Sequence, residues 1–445
     1  MKNSMGVRIA VAGVVGCLLF IPLVMIDGLV GERAGRRDAA ADEIARMWAS
    51  AQTISGPILT VPYRCDDPKG HPCIGRVNFQ PLSLTVEGTL DPEVRKRSLF
   101  EAVVYRSRIK VHGTFAVDFA AHRIAVDQLI WQDATVTLGV TDLRGITGSA
   151  AVRSRGATLP FVPGAIKASG IESGIHAKVG TLALPGVEPL PFEFELTVNG
   201  TKDLQFDTFG DSGQVTLTSS WPHPAFVGSL LPDTRTSDAS GFTATWHAGA
   251  FRRAAPPAPA AGAGRTGSVS AEASLTAPVQ SRAFGVALVT PVDVYQQAER
   301  AVKYGVLFIL FTFATAFLWE VTRGIAVHPI QYAFIGFALC VFYLLLLSIS
   351  EHAGFDLAYV VATTAISSLI AWYWRWVAGR WRDGAGMGSL VAGLYGFMYL
   401  LLRLEDYALL AGSLGLFLML VLVMYLTRRV DWFDFGQTTP GQSVP

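Results

Sequence analysis

Residues 9–26 read IAVAGVVGCLLFIPLVMI, and this apolar run, with its counterparts in the last third of the chain, decides the fold class. A helix needs about 18 apolar residues to cross the hydrocarbon core of a bilayer. Between Gly31 and Arg300 no run reaches that length. The sequence therefore predicts an N-terminal transmembrane anchor (1–30), a large extramembrane domain (31–300), a transmembrane bundle (301–430) and a cytoplasmic tail (431–445).

The first run predicts an anchor that is kept, not a secretory signal that is removed. The apolar core of a signal peptide is usually shorter, and no small-x-small cleavage pattern follows Ile26. Composition agrees with a membrane protein, because 51% of the residues are hydrophobic and 16% are charged. The lipid bilayer is therefore a predicted partner, while a net charge of +1 gives no reason to expect nucleic acid.

Five further spans are expected in the bundle, at about 304–322, 328–350, 355–374, 385–402 and 407–427. Six crossings place both termini on one side, and the short loops decide which side, because Lys and Arg are retained in the cytoplasm. With both termini cytoplasmic and the large domain periplasmic, that side holds Lys2, Arg8, Arg323, Arg375, Arg380, Arg382, Arg428 and Arg429. Five cations oppose this orientation by flanking the outer domain: Arg33, Arg36, Arg37, Arg300 and Lys303. Long translocated domains respond weakly to the rule, so the short loops are followed.

The middle domain is predicted to be mainly β, either an antiparallel sandwich or a barrel-like fold. Alternating or β-rich runs separated by Gly, Pro, Asn and Asp occur at 82–86, 103–119, 134–141, 192–198, 214–219, 242–247 and 284–289. The Ala/Pro/Gly-rich stretch 254–267 predicts a flexible surface loop. Cys65 and Cys73 are expected as a disulfide or free thiols; a metal site with His71 would lack a fourth ligand.

The segment Trp221-Pro222-His223-Pro224-Ala225-Phe226 carries the densest local signal in the domain. Two prolines around a histidine fix a stiff extended conformation. It could present Trp221, His223 and Phe226 as a recognition surface, or its rings could close the end of a sandwich. The packing interpretation is favoured, and the recognition surface is kept as a candidate.

Polar residues near the span ends form a second candidate site: Glu320, Glu351, His352, Arg403 and Glu405. Ionisable groups deep in a bilayer are costly and often functional, but groups at the interfaces are satisfied by snorkelling or pairing. No span carries a charge at mid-depth, which disfavours solute transport. No Walker A loop, HExxH helix or dinucleotide fingerprint occurs, so no catalytic residue, metal or cofactor is predicted.

Sequence blocks along nearly the whole chain resemble the CreD family of bacterial inner-membrane proteins. They include residues 55–62 (SGPILTVP), 217–224 (LTSSWPHP), 290–293 (TPVD) with Tyr295-Gln296, 328–332 (HPIQY), 350–355 (SEHAGF) and 426–434 (LTRRVDWFD). The resemblance implies an inner-membrane protein linked to envelope stress and the β-lactam response, without a known reaction. The expected function is therefore non-enzymatic, with a periplasmic domain that binds an envelope protein or cell-wall component. A transporter or lipid-handling protein acting through the bundle is the alternative.

Overall fold

The computed structural model describes residues 5–66, 71–166, 169–182, 189–207, 212–249, 283–290, 293–323, 327–404 and 407–428. The chain divides into a helical unit, Met1–Arg37 with Val292–Pro445, and a β unit, Asp38–Pro291. The stretch 254–267, expected as a loop, lies outside the described residues.

The helices of the chain are α1 (Met5–Leu18), α2 (Phe20–Trp48), α3 (Val294–Lys303), α4 (Gly305–Arg323), α5 (Pro329–Ala353), α6 (Phe355–Ala378), α7 (Trp381–Arg403) and α8 (Ala408–Thr427). Within the described ranges, four segments are long and apolar enough to cross a membrane: Gly13–Trp48, Pro329–Ala353, Phe355–Ala378 and Trp381–Arg403. The pair α3–α4, bent by 43°, makes a fifth, and α8 contains the shorter apolar stretch Leu410–Val421. Membrane-length helices at both ends of the chain are thus confirmed, while the count of six crossings stays a prediction.

Local sequence sets where α5 begins and ends. The His328 side chain accepts a hydrogen bond from Ile330 N, and the Gln331 side chain accepts one from His328 N at 2.8 Å. With Pro329 at the first helical position, this is a capping box that satisfies otherwise orphaned amides. The helix ends at Gly354, whose φ of 78° is strained for residues with a Cβ. The HPIQ and HAGF sequences are therefore helix start and stop signals.

The β unit contains two sheets. Its strands are β1 (Gln52–Asp66), β2 (Pro72–Phe79), β3 (Pro81–Arg97), β4 (Phe100–Phe115), β5 (Thr135–Val140), β6 (Ile146–Thr147), β7 (Ala151–Ser154), β8 (Ala157–Pro160), β9 (Val162–Pro163), β10 (Gly174–Lys178), β11 (Leu190–Thr201), β12 (Asp203–Asp207), β13 (Ser212–Ser219), β14 (Pro224–Gly228), β15 (Thr234–Asp238), β16 (Gly241–Gly249) and β17 (Phe284–Leu288). One sheet has the order β14-β17-β12-β1-β5-β10-β9, with β2 on β1. The other has the order β15-β16-β13-β3-β4-β11-β7-β8, with β6 on β11.

The two sheets share one hydrophobic core, so the predicted mainly-β domain is confirmed, and of the two predicted arrangements it has the sandwich. Leu59 and Val136 enter this core from the first sheet, and Val86 and Ile109 enter it from the second. Most strand pairs are antiparallel, but β1 pairs with β12 and β3 with β13 in parallel. Alternation reports which face of a strand is buried and not the direction of its neighbour, so the sequence could not reveal these two pairs.

Residues from Asp38 onward in α2 pack on the hairpin β3–β4 of the β unit. Ala41 and Ile44 form a small apolar cluster with Ala102 and Val104. The helix end is also tied by polar contacts: the Arg97 guanidinium pairs with Glu43 at 2.5 Å, the Trp48 indole donates to Tyr105 O at 3.3 Å, and Ser50 N donates to Asp142 Oδ2 at 3.0 Å.

The cysteines of the β unit form a disulfide. Cys65 and Cys73 are directly opposed on β1 and β2, with their Cα atoms 4.9 Å apart, and their sulfur atoms are bonded. The disulfide interpretation is therefore the right one, and no thiolate remains there for a metal site with His71.

Candidate functional site

The Trp221–Phe226 segment mixes packing with exposure. The Trp221 indole donates to Val289 O at 3.0 Å, and its half-buried ring lies against the shared core. Phe226 meets Phe242 and Trp246 edge-on, at centroid distances of 6.0 and 5.9 Å. His223 is exposed. Trp221 and Phe226 therefore contribute to the sandwich, and His223 is the member of this candidate surface whose ring is presented to solvent.

In the helical unit, Glu351 is the centre of a charged cluster. Its side chain, at the end of α5, is only 8% exposed. The Tyr295 hydroxyl donates to Glu351 Oε1 at 3.1 Å, and Arg33 Nη1 lies 3.7 Å from Oε2. Because a buried carboxylate without such partners is costly, these contacts explain how Glu351 is tolerated there.

A second ion pair adjoins this contact. Arg37, one turn after Arg33 on α2, pairs with the Asp293 carboxylate, and its guanidinium lies 5.7 Å from the centroid of the Tyr295 ring. Asp293 also caps α3, accepting from Tyr295 N at 3.0 Å. We call Arg33, Arg37, Asp293, Tyr295 and Glu351 the Glu351 cluster; its two cations and two anions balance.

The Glu351 cluster joins segments that are far apart in sequence. Arg37 is the last residue of the helical unit before the β unit, and Asp293 is the second residue after the chain returns. The sequence indicated Glu351 as a candidate and Asp293 and Tyr295 as part of a family motif, whereas Arg33 and Arg37 were interpreted only as cations that flank the outer domain. Their spacing of four residues, which puts both on one helix face, was the available signal.

The other candidate polar residues lie elsewhere. Glu320, on α4, is buried and accepts from the Tyr332 hydroxyl at 3.0 Å. Tyr332 and Glu351 are 19 residues apart on α5 (351 − 332), about 28 Å at the helical rise of 1.5 Å per residue. Glu320 and Glu351 therefore lie at opposite ends of the bundle and cannot share one site.

Arg403 also has local partners. Its guanidinium pairs with the Asp356 carboxylate and donates to the Tyr399 hydroxyl at 3.0 Å from Nη2. His352 is exposed, and Glu405 lies outside the described residues. The described members of this set, Glu320, Glu351, His352 and Arg403, thus do not assemble into one membrane polar site.

Two apolar hollows open at the surface of the bundle. One cavity of about 540 Å³ lies among α4, α7 and α8, and a groove of about 760 Å³ lies between the N-terminal helices and α4. Both are lined almost wholly by apolar side chains. In the part of the chain that the structure describes, no three His, Cys, Asp or Glu residues group as metal ligands.

Together, the bundle and the sandwich define a multi-pass membrane protein that carries a large mainly-β domain inserted after its first helix. A family model described as inner membrane protein CreD matches residues 4–433. Inner membrane protein CreD of Escherichia coli (strain K12) is 31% identical over 433 residues, which cover 94% of this chain and 92% of that protein. The chain belongs to the CreD family, and it is a multi-pass inner-membrane protein.

Proposed function

We propose that this protein is a non-enzymatic envelope protein whose β unit lies in the periplasm and binds an envelope protein or cell-wall component. The helical unit anchors it, with both termini in the cytoplasm. Its role in the cell would be in the envelope-stress or β-lactam response that the family resemblance implies.

One observation carries the proposal: three of the candidate residues for a transport path have local partners, with Glu320 at one end of the bundle and Glu351 and Arg403 at the other. Glu320 bonds Tyr332, Glu351 bonds Tyr295, and Arg403 pairs with Asp356. A transported ion or polar solute needs polar groups along its route. A bundle in which these residues are paired locally and the cavities are apolar is suited to anchoring the protein in the membrane. Binding of a specific envelope partner is then the role of the large β unit.

Arg33 and Arg37 are among the cations that oppose the periplasmic placement of the β unit. In the structure they are held in ion pairs, Arg33 with Glu351 and Arg37 with Asp293. Because both flank a long extramembrane domain, which responds weakly to the positive-inside rule, the proposed orientation follows the charges of the short loops.

Crosslinking in living cells tests the binding proposal. A photoreactive residue at exposed His223 is expected to capture a discrete envelope component, whereas the same residue at Val126, 62% exposed on the β unit, is expected not to. Equal capture at both positions, or capture at neither, would count against a specific partner at this segment. Trp221 is unsuitable for the probe because it packs on the core.

Lipid handling is a second candidate function, and the two apolar cavities are the observation that favours it. Cavities of several hundred Å³ with apolar walls are of a size that binds small apolar molecules. In a bilayer the nearest such molecules are lipid tails.

A further inference from the structure

The outer edge of β14 carries backbone groups that point away from the sheet. Strand β14 ends the first sheet, and among the described strands only β17 pairs with it. Val289 N donates to His223 O at 3.3 Å, directly before this ladder, so the odd-numbered residues of β14 bond to β17. Because bonding directions alternate along an antiparallel strand, Phe226 N–H and C=O face outward, together with Pro224 C=O and Gly228 N–H. These four groups are placed to bond a further strand.

The other three sheet ends are shorter or charged. Natural proteins protect edge strands against pairing with short length, prolines and charged side chains. Strand β9 has two residues, β8 has four and closes with Pro160, and β15 carries Arg235 and Asp238. Strand β14 has five residues, none of them charged, and its proline, Pro224, stands at the first position. Strand β14 therefore presents the longest uncharged edge of the four.

A cation lies beside this edge. Arg235 is opposite Ala244 of β16, whose side chain is buried in the core, so Arg235 projects from the same face of the second sheet. Its guanidinium lies 5.8 Å from the centroid of the Phe226 ring. Arg235 is exposed and has no ion-pair partner among the residues that the structure describes, while the carboxylate of Asp233 accepts from His247 N at 2.7 Å. A carboxylate is the group that Arg235 would bind best.

A strand added to β14 would place one of its side chains next to this cation. The residue opposite Phe226 would have its Cα about 5.5 Å away and its side chain on the same face as the Phe226 ring. Arg235 lies over that ring. The two neighbours of this residue would project from the other face, beside Ala225 and Val227. A matching segment thus has Asp or Glu at one position and apolar residues on both sides of it.

We propose that β14 binds an extended segment of an envelope protein, which adds a strand to the first sheet and pairs an Asp or Glu side chain with Arg235. In this mode of recognition, main-chain hydrogen bonds provide affinity and alternate side chains provide specificity. The proposal rests on the proposed function and names the chemistry of the partner. A polysaccharide lacks the repeating amide N–H and C=O groups that the edge of a sheet requires.

Synthetic peptides test the charge preference on the full-length protein in nanodiscs, with fluorescence anisotropy as the readout. The probe is a seven-residue peptide with aspartate at its centre, valine on both sides of it, and threonine and valine alternating outward; a second probe has lysine at the centre. The aspartate probe is expected to bind about fivefold tighter, the factor that one exposed ion pair provides. Equal binding, or tighter binding of the lysine probe, would overturn the pairing with Arg235.

Two variants assign this preference to the edge of β14. Arg235→Glu is expected to reverse it, so that the lysine probe binds tighter. Arg76→Glu is the matched control, because Arg76 is also exposed on a strand of the β unit, β2, and the preference should persist there. An unchanged preference in Arg235→Glu would place the probe at another surface.

Methylation of single peptide nitrogens tests the addition of a strand. A methyl group on the nitrogen of the central aspartate removes the donor to Phe226 C=O, so binding is expected to weaken about tenfold. A methyl group on the nitrogen of the next valine, which faces away from β14, is the matched control and should change binding by at most about twofold. Equal effects of the two methyl groups would overturn strand addition.

The remaining outcomes separate this proposal from the proposed function. Capture of an envelope component at His223 without binding of either probe would overturn strand addition and leave the binding function in place. Failure of both the capture and the probes would overturn both. Sedimentation of the protein as a dimer that the aspartate probe dissociates would show that a second copy occupies the edge, which would overturn an envelope partner there.

Discussion

At the residue scale, the Glu351 cluster is expected to contribute measurably to the stability of the protein. Glu351→Ala is expected to lower the free energy of unfolding by about 1–3 kcal/mol, because it leaves the Tyr295 hydroxyl and the Arg33 guanidinium without their acceptor. Thermal unfolding of the full chain in detergent measures this. Glu32→Ala, which breaks an exposed i,i+4 pair with Arg36, is the control and should cost at most about 0.5 kcal/mol. Equal losses would mean that Glu351 is an ordinary surface charge.

Asp142 offers a pH-dependent prediction. Hydrogen bonds from Arg144, chiefly, and from Ser50 hold the pKa of Asp142 well below its usual range. A carboxylate with a lowered folded-state pKa stabilises the fold above its unfolded-state pKa of about 3.9, and this contribution disappears as the pH falls toward the folded-state value. The stability advantage of the native protein over Asp142→Asn should therefore be full at neutral pH and shrink below about pH 5. Chemical unfolding at several pH values tests this, and a constant difference would contradict it.

At the element scale, the sequence predicted those strands whose alternation is clean. Strand β11 buries Phe192, Phe194 and Leu196 and exposes the residues between them. Its apolar residues therefore alternate with polar ones in the sequence, and this alternation predicted the strand. Strand β1 was not predicted, because it buries consecutive residues and Gly56-Pro57 interrupts it, next to an irregularity in its pairing with β5. Strand β15 was missed because all five of its side chains are exposed. Pairing with β16, not hydrophobic pattern, holds it in the sheet.

The element β14 and the segment before it give a testable distinction between packing and recognition. Trp221→Ala is expected to cost about 1–3 kcal/mol, since it removes the bond to Val289 O and half-buried ring contacts. His223→Ala, two residues away and exposed, should stay within about 0.5 kcal/mol. Urea unfolding of both variants measures the contrast. A large loss for His223→Ala would show that its ring supports the fold.

At the scale of the whole molecule, the order of anchor, β domain and bundle followed from the apolar runs alone, because membrane spans depend on length and composition. The side-chain contacts within the bundle could not be predicted from these runs. The pairing of Arg37 with Asp293 links residues 256 positions apart, and one sequence contains no signal for such a distant contact.

Orientation is tested on the whole molecule by single cysteines in a variant lacking Cys17 and Cys340. A membrane-impermeant maleimide added to spheroplasts is expected to label His223→Cys and not Arg380→Cys, since positively charged short loops are cytoplasmic. Permeabilised cells provide the control in which both react. The reverse pattern would place the β unit in the cytoplasm.

The ion pair between Arg37 and Asp293 has a consequence for how such a chain can be assembled. Because these side chains touch, the exit from the membrane helices and the re-entry into them are neighbours. Domains whose ends lie close together can be added to or removed from a host without disturbing it. The β unit is thus an insertion whose two connections to the helical unit lie side by side. A chain with a short Gly/Ser linker in place of 38–291 should therefore still insert into the membrane and fold as a helical membrane protein.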